Sequence, residues 1–530
     1  MQKLSGLDAS FLYLETEKSP MHIAGLSICR PPEGDYDSYE AFKAQIAERL
    51  HEIPAFRRVL KAAPLNIDHP VWVEVDELDL EYHIVNMHLP KPGDANALRS
   101  LIENLHSELL DRTRPLWRFY VIEGYEDPEL GVKPGSFALY TKCHHACVDG
   151  GAGISVMDII SDLEPVPRKP LPKSTISFYK EDPGFFEMLG NAYGRFVQSQ
   201  VDTVKLLPDL AKAVGTGIKK AVTEGAFALS DLRPAPKTPF NVTVERDRTY
   251  GAQSLNLYDV ISIAKATGTT VNDVVLSICG GALRTYLEER DALPDRSLVA
   301  GVPVSLRELG DSSQTNQVAS MLSQIGTDVA HPLERLMAVK SHVKRSKSQI
   351  ETIRDIFPTD YSIFGAPIAL SVVSQLIGQL KIMDRTPSYL NLAISNVPGP
   401  RKPMYFAGSR VTAYFPVSIA THGAALNITV HSYTHRLDFG LIGDRRAVPN
   451  IQSIAENIMT EYVALRASVE EDLARRGKTL QGRPGAGKPE AKPAAKASAA
   501  KPARKPASKP APRKTAKAAN DTNGSATKAS

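Results

Sequence analysis

Along this chain the spacing of apolar positions switches between a period of two and a period near 3.6, and the switches predict its elements. Residues 21–29 read as a strand and residues 38–50 as an amphipathic helix. A second helix is expected over 95–110, with Pro115 beyond it as a stop. Residues 117–123 and 136–143 alternate and lie close enough in sequence to pair as a hairpin. In the second of these runs Phe137, Leu139, Thr141 and Cys143 share one face, and Ala138, Tyr140 and Lys142 the other. Residues 153–163 return to helical spacing and predict a buried helix.

A proline-rich stretch from Glu164 opens a linker, followed by an amphipathic helical pattern over 187–229. There Val197, Val201, Val204 and Leu207 interleave with Lys205, Lys212 and Lys219, a pattern that suits either an anionic membrane surface or packing between domains. Further on, a helix is expected over 254–267 and another begins near Thr270 or Asn272 as N-cap. Strand-like runs follow at 298–306, 390–397, 411–419, 425–432 and 437–442. The similar order of elements in both halves predicts two pseudo-equivalent α/β domains, 1–180 and 240–476, joined by a helical linker at 181–239.

Composition refines this picture. The chain has 530 residues, 42% of them hydrophobic, ample for sizeable cores. Its formal charge of +4 hides an asymmetry: residues 477–530 hold thirteen Lys and Arg against Glu490 and Asp521, a net +11, which leaves residues 1–476 at −7. A mildly acidic body argues against nucleic-acid binding. The Lys, Ala and Pro of the tail cannot bury enough apolar surface to fold, so a disordered basic tail is expected from 477 on. Four cysteines, Cys29, Cys143, Cys147 and Cys279, make no disulfide framework and fit a reducing compartment. No charged-then-apolar leader opens the sequence, and a cytoplasmic location is expected. The uncharged run 361–380 carries Pro367 and several Ser and Gln, and reads as a buried or interfacial helix, not a membrane span.

The densest chemistry lies at 142–151, Lys-Cys-His-His-Ala-Cys-Val-Asp-Gly-Gly. His144 and His145 sit at a strand end before a Gly-rich turn. Neighbouring strand side chains point to opposite faces, so one histidine is chemical and the other structural. Imidazole suits proton removal from an alcohol at neutral pH, and Asp149 can hold the turn through an ion pair. The Cys and His of this run do not converge from two separated pairs, so no metal is expected.

His144-His145-x-x-x-Asp149-Gly150 matches the HHxxxDG motif of the CoA-dependent acyltransferase superfamily, which includes chloramphenicol acetyltransferase and the condensation domains of peptide synthetases. With the opening 4–14, Pro115-Leu116-Trp117, Asn272-Asp273 and Ser395-Asn396-Val397-Pro398-Gly399-Pro400 in family order, residues 1–475 resemble the bacterial wax ester synthase/diacylglycerol acyltransferases. The resemblance implies two chloramphenicol-acetyltransferase-like α/β domains with mixed sheets. It implies transfer of a long-chain acyl group from acyl-CoA to diacylglycerol or a long-chain alcohol, with no cofactor, no covalent acyl-enzyme, and peripheral contact with a membrane or lipid droplet. Two other readings stay open, a same-fold enzyme using a carrier-protein thioester and a non-catalytic lipid-surface protein. The oligomeric state is not indicated.

By the same resemblance His145 is the base, His144 its support, Asp149 a loop-fixing residue, and Gly150 and Gly151 leave room at the turn. Arg57 or Arg58 is the expected partner of Asp149, the alternative being a solvated basic pair. Trp117 is a core anchor or a substrate contact. Asn272 and Asp273 stabilise an oxyanion or cap a helix. The segment containing Asn396 crosses over to complete the other domain's sheet.

Overall fold

A computed structural model of the chain describes residues 2–4, 6–62, 69–75, 77–127, 132–147, 156–172, 233–305, 318–354 and 367–480. They lie in one compact unit spanning 1–484; the unit 485–530, the rest of the expected tail from 481, and most of the expected linker and its amphipathic segment fall outside the described residues.

Two six-stranded sheets carry the fold. The first joins β2 (His22–Arg30), β5 (Ile84–His88), β6 (Trp117–Glu123), β7 (Phe137–His144), β12 (Tyr405–Phe406) and β13 (Ser409–Val417) in the order β12-β13-β2-β7-β6-β5. The second joins β8 (Arg248–Asn256), β9 (Val299–Ser305), β10 (Val318–Gln324), β11 (Leu392–Val397), β14 (Leu426–Tyr433) and β15 (Arg436–Asp444) in the order β10-β9-β11-β14-β15-β8. A small third sheet is formed by β1 (Gln2–Lys3), β3 (Arg58–Lys61) and β4 (Val71–Glu74). The hairpin expected at 117–143 is present as antiparallel β6 and β7, with Trp117 opposite Cys143.

The alternation along β7 sorts its residues as the spacing predicts. Phe137, Leu139 and Cys143 pack with Phe42 and Ile46 of α2 (Ser38–Arg49), whereas Ala138 and Tyr140 face Leu98, Ile102 and Leu105 of α4 (Ala95–Ser107). Shorter helices α1 (Gly6–Leu14), α3 (Leu80–His83) and α5 (Val156–Ile160) complete this half. Helix α4 ends at Ser107, before the expected 110, and Lys142 Nζ reaches the Leu105 and Glu108 carbonyls there at 2.6 and 2.5 Å.

The second sheet is covered by α6 (Leu257–Thr267), α7 (Val271–Glu288), α8 (Pro332–Arg354) and α10 (Ile451–Arg475), while α9 (Pro367–Leu380) reaches α1, with Ser374 Oγ donating to the Leu14 carbonyl at 3.0 Å. The helix expected from 254 starts three residues later, because Ser254 belongs to β8 and the Asn256 side chain accepts from Tyr258 and Asp259 N–H to cap α6. Among the described residues no helix is long and apolar enough to cross a membrane.

The two halves exchange strands. After β11 the chain turns at Pro398-Gly399-Pro400, adds β12 and β13 to the edge of the first sheet, and returns to the second as β14. The crossing strands are thus 405–417, beyond the Ser-Asn-Val-Pro-Gly-Pro run itself, which only redirects the chain. At the close approach of β13 and β15, a Cβ on Gly440 would run into the Pro416 carbonyl.

A buried ion pair secures the crossing. Arg49, the last residue of α2, donates to both Asp162 carboxylate oxygens at 2.9 and 2.8 Å, with 1% and 3% of the two side chains exposed. Gln45 Nε2 donates to the same carboxylate at 2.7 Å and its Oε1 accepts from Ala407 N–H, while the Asp162 backbone pairs with Tyr405 of β12. Replacing Asp162 by Asn should cost roughly 3–5 kcal/mol, because Arg49 would remain buried without its counter-charge. Chemical denaturation of the two proteins checks this, and an unchanged midpoint would refute it.

Candidate active site

Strand β7 stops at His144 because the chain is held at two points. His144 N–H donates to the Leu116 carbonyl and His145 N–H to the Met21 carbonyl, both at 2.9 Å, and His145–Cys147 then curl into a 3-10 turn. The break frees the two histidines from strict strand alternation, and they enter different surroundings.

The His144 ring is fully buried. Its Nδ1 accepts from Ala146 N–H at 3.0 Å, which leaves the Nε2 side facing Glu15 Oε1 at 3.4 Å, an ion-pair distance and not a good hydrogen bond. Glu15, whose side chain is 3% exposed, also accepts from Met21 N–H at 3.1 Å and from Arg112 Nε and Nη2 at 3.0 and 2.8 Å. Burial alone would raise this carboxyl; His144, Arg112 and the Met21 N–H outweigh it and hold it at about 2. Glu15 escapes sequence reasoning, since nothing in Glu15-Thr-Glu-Lys18 distinguishes the buried carboxylate from the next one.

His145 packs differently. Its ring stacks on Phe11 of α1 with centroids 3.9 Å apart and planes at 16°. Burial pushes its pKa down to about 4, so it is neutral at pH 7 and able to accept a proton. Its Nδ1 is buried with no hydrogen-bond partner among the described residues.

Behind the pair lies a buried polar cluster. His22, opposite His144 in the register, donates from Nε2 to the His106 carbonyl at 2.8 Å. The His106 ring bonds the Tyr140 hydroxyl at 2.7 Å and the Ser418 carbonyl at 2.9 Å. Burial pushes His22 well below its ordinary range, His106 to about 3 and Lys142 to about 7. The thiols of Cys143 and Cys147 are pushed up by burial, Cys143 to about 12, which makes both packing groups and poor nucleophiles.

The other expected residues divide clearly. Asp149, Gly150 and Gly151 lie outside the described residues. Arg57 pairs with Glu74 at 2.9 Å, and the neighbouring Arg58 is buried, its charge disfavoured by desolvation and partly offset by Glu74. Trp117 is fully buried between Phe56 and His83, with centroids at 4.3 and 4.4 Å, and its Nε1 donates to the Phe56 carbonyl. This is the core-anchor position, with no surface left for substrate. Asp273 and the N-cap Thr270 form a capping box on α7, so Asp273 accepts hydrogen bonds and is no oxyanion donor. Asn272 is partly buried on the first turn of α7, and Asn396 is partly buried near the end of β11, opposite Val430.

Residues 4–275 match the wax ester synthase/diacylglycerol acyltransferase catalytic domain, and 314–466 the WS/DGAT C-terminal domain. A probable diacylglycerol O-acyltransferase of Mycobacterium tuberculosis is 34% identical over 481 residues, covering 87% of this chain and 98% of that one. The O-acyltransferase WSD of Acinetobacter baylyi is 31% identical over 468 residues, covering 87% and 96%. Among solved structures, a wax ester synthase/diacylglycerol acyltransferase from Marinobacter aquaeolei aligns with a TM-score of 0.61 at 31% identity over 88% of this chain and 100% of that one. The starter condensation domain of rhizomide synthetase aligns at 0.51 with 12% identity over 91% and 95%, which shows a shared fold alone.

Buried neutral histidines make stability depend on pH in a defined direction. The folded pKa values of His22, His106 and His145 lie below the unfolded value near 6.5, so as pH falls through 6.5 the unfolded chain binds protons that the folded one refuses. Each should cost about 2 kcal/mol of stability by pH 5. Lys142 adds nothing to that slope, since its shift acts above pH 7. Melting temperatures recorded from pH 7.5 to 5 should fall steadily below 6.5, and a flat profile would contradict the assignment.

Proposed function

As the chain belongs to the wax ester synthase/diacylglycerol acyltransferase family, an acyltransferase family, we propose that it moves a long-chain acyl group from acyl-CoA to the hydroxyl of diacylglycerol or a long-chain alcohol, with His145 as general base. The observation that carries this reading is the neutral His145 ring held at the break of β7 against Phe11.

In this reading His145 takes the proton of the acceptor hydroxyl as its oxygen attacks the thioester carbonyl. The tetrahedral intermediate collapses with loss of the CoA thiolate, and the proton passes from the imidazolium to that sulfur. Product ester and free CoA leave, and the base is restored. No cofactor enters the balance. His144 stays out of the proton path: its ring, tied to Ala146 N–H and set beside the Glu15 carboxylate, holds the turn from which His145 projects. Asp149 keeps the part of loop-fixing residue.

An acceptor of this kind resides in membranes and lipid inclusions. Peripheral docking through the amphipathic residues 187–229 and the basic tail is the route we favour, with apolar burial from the first and attraction of roughly 1 kcal/mol per charge from the second.

The test is release of free CoA by purified protein supplied with palmitoyl-CoA and either hexadecanol or diacylglycerol. His145→Ala should lose roughly 10²–10⁴-fold in turnover with its melting temperature retained. His144→Ala should lose stability together with activity, whereas an inactive His144→Ala beside an active His145→Ala would reverse the roles. The acid limb of kcat/KM should have its midpoint nearer 4 than 6.5, because protonation of His145 is what abolishes the base. A midpoint at 6.5 would show a solvated histidine and defeat the burial argument.

A further inference from the structure

A cavity of about 480 Å³ lies between the first sheet, α4, β8 and α10, apart from the motif histidines. Leu26 and Ile28 of β2, Leu98 of α4, Phe415 of β13 and Met459 of α10 give it apolar walls. Arg30, Arg99, Lys133 and Arg436 also line it, and none of the described lining residues is acidic. Arg436 is neutralised by Asp438, at 3.0 Å, but Arg30, Arg99 and Lys133 make no ion pair among the described residues. Arg30 Nε is buried with no hydrogen-bond partner among them, and Arg410 stands opposite Arg30 in the β2–β13 register. Like charges directly across a strand pair repel, and a guanidinium nitrogen buried without an acceptor is costly. An anion among these groups would relieve both.

From this we propose that the cavity is a binding site for a single-chain anionic amphiphile, its carboxylate or phosphate held by Arg30, Arg99 and Lys133 and its acyl chain lying along the apolar walls. The volume lies within the range of small-molecule sites. The site is separate from the reaction centre. Along β2, Leu26 is about 13 Å and Arg30 about 26 Å from His22, the residue paired with His144. On that same face the buried Tyr140, Lys142 and His106 lie between the cavity and His144. The inference stands whether or not the acyl acceptor is as proposed above.

Displacement of a dansyl-labelled fatty acid from the full-length protein tests it. Palmitate and lysophosphatidate should displace the probe and neutral monopalmitoylglycerol should not; the tighter of the two anions identifies the natural head group. Arg30→Gln/Arg99→Gln should weaken probe binding about tenfold or more. Ala95→Trp, which fills the cavity from the partly exposed start of α4, should abolish it, and His145→Ala should bind as the parent does. Equal displacement by the neutral lipid, displacement by inorganic phosphate or by CoA lacking an acyl chain, or undiminished binding in both cavity variants would overturn the proposal.

Discussion

The ion pair of Arg49 and Asp162 is the constraint on which the arrangement of this half rests. A carboxylate this deeply buried is tolerable only when every acceptor position is met, and Asp162 takes donors from Arg49, Gln45 and the Arg168 backbone. Those donors come from α2 and from the chain beyond α5, and the Asp162 backbone bonds β12 on both sides through Tyr405. One residue thus joins the segment that follows the histidine motif to the strands the second half lends to the first sheet. Such a pair adds little net stability over an apolar substitute, but it penalises every alternative packing in which one charge is left alone. Its main effect is to fix which strand lies against which helix.

The same low dielectric shapes the chemistry. His22, His106 and His145 are all driven towards the neutral form by burial, yet only His145 leaves the cluster of backbone acceptors and lies against an aromatic ring. Neutrality leaves its ring able to accept a proton at physiological pH. His144 instead stands beside the Glu15 carboxylate, which is anchored in turn by Arg112. Two adjacent residues therefore answer to opposite surroundings, one next to an anion and the other next to a ring.

Much of this was legible from periodicity, because alternation along 136–143 depends only on which face is buried. The hairpin, the faces of β7, helix α2 and the cap at Thr270 are all local consequences of spacing or of one side chain's reach. Strands β1, β3, β4, β5, β8, β10 and β12 are not legible in the spacing, being short or set in mixed surroundings where pairing and not pattern decides. The motif and its family resemblance led to His144 and His145, but not to Glu15, whose burial follows from the tertiary path of Arg112 and Met21. Nor could spacing reveal the buried pair of Arg49 with Asp162, more than a hundred residues apart, whereas Asp149, the expected partner of Arg57 or Arg58, lies outside the described residues.

Strand exchange ties the histidine motif, which belongs to one half, to the other half. Strand β13 hydrogen-bonds β2, and β2 hydrogen-bonds β7, so the strand bearing the histidines is two ladders away from residues contributed by the second half. Ser418, just past β13, accepts from His106, and α9 reaches α1, whose Phe11 supports the His145 ring. The second half therefore braces His145 from two directions, and a fragment ending before 405 would lack the strand that fixes β2 and, through β2, the Met21 carbonyl that breaks β7 at His145. The position of His145 is a property of the joined sheets, and that is the physical reason a ten-residue motif is embedded in a fold of several hundred.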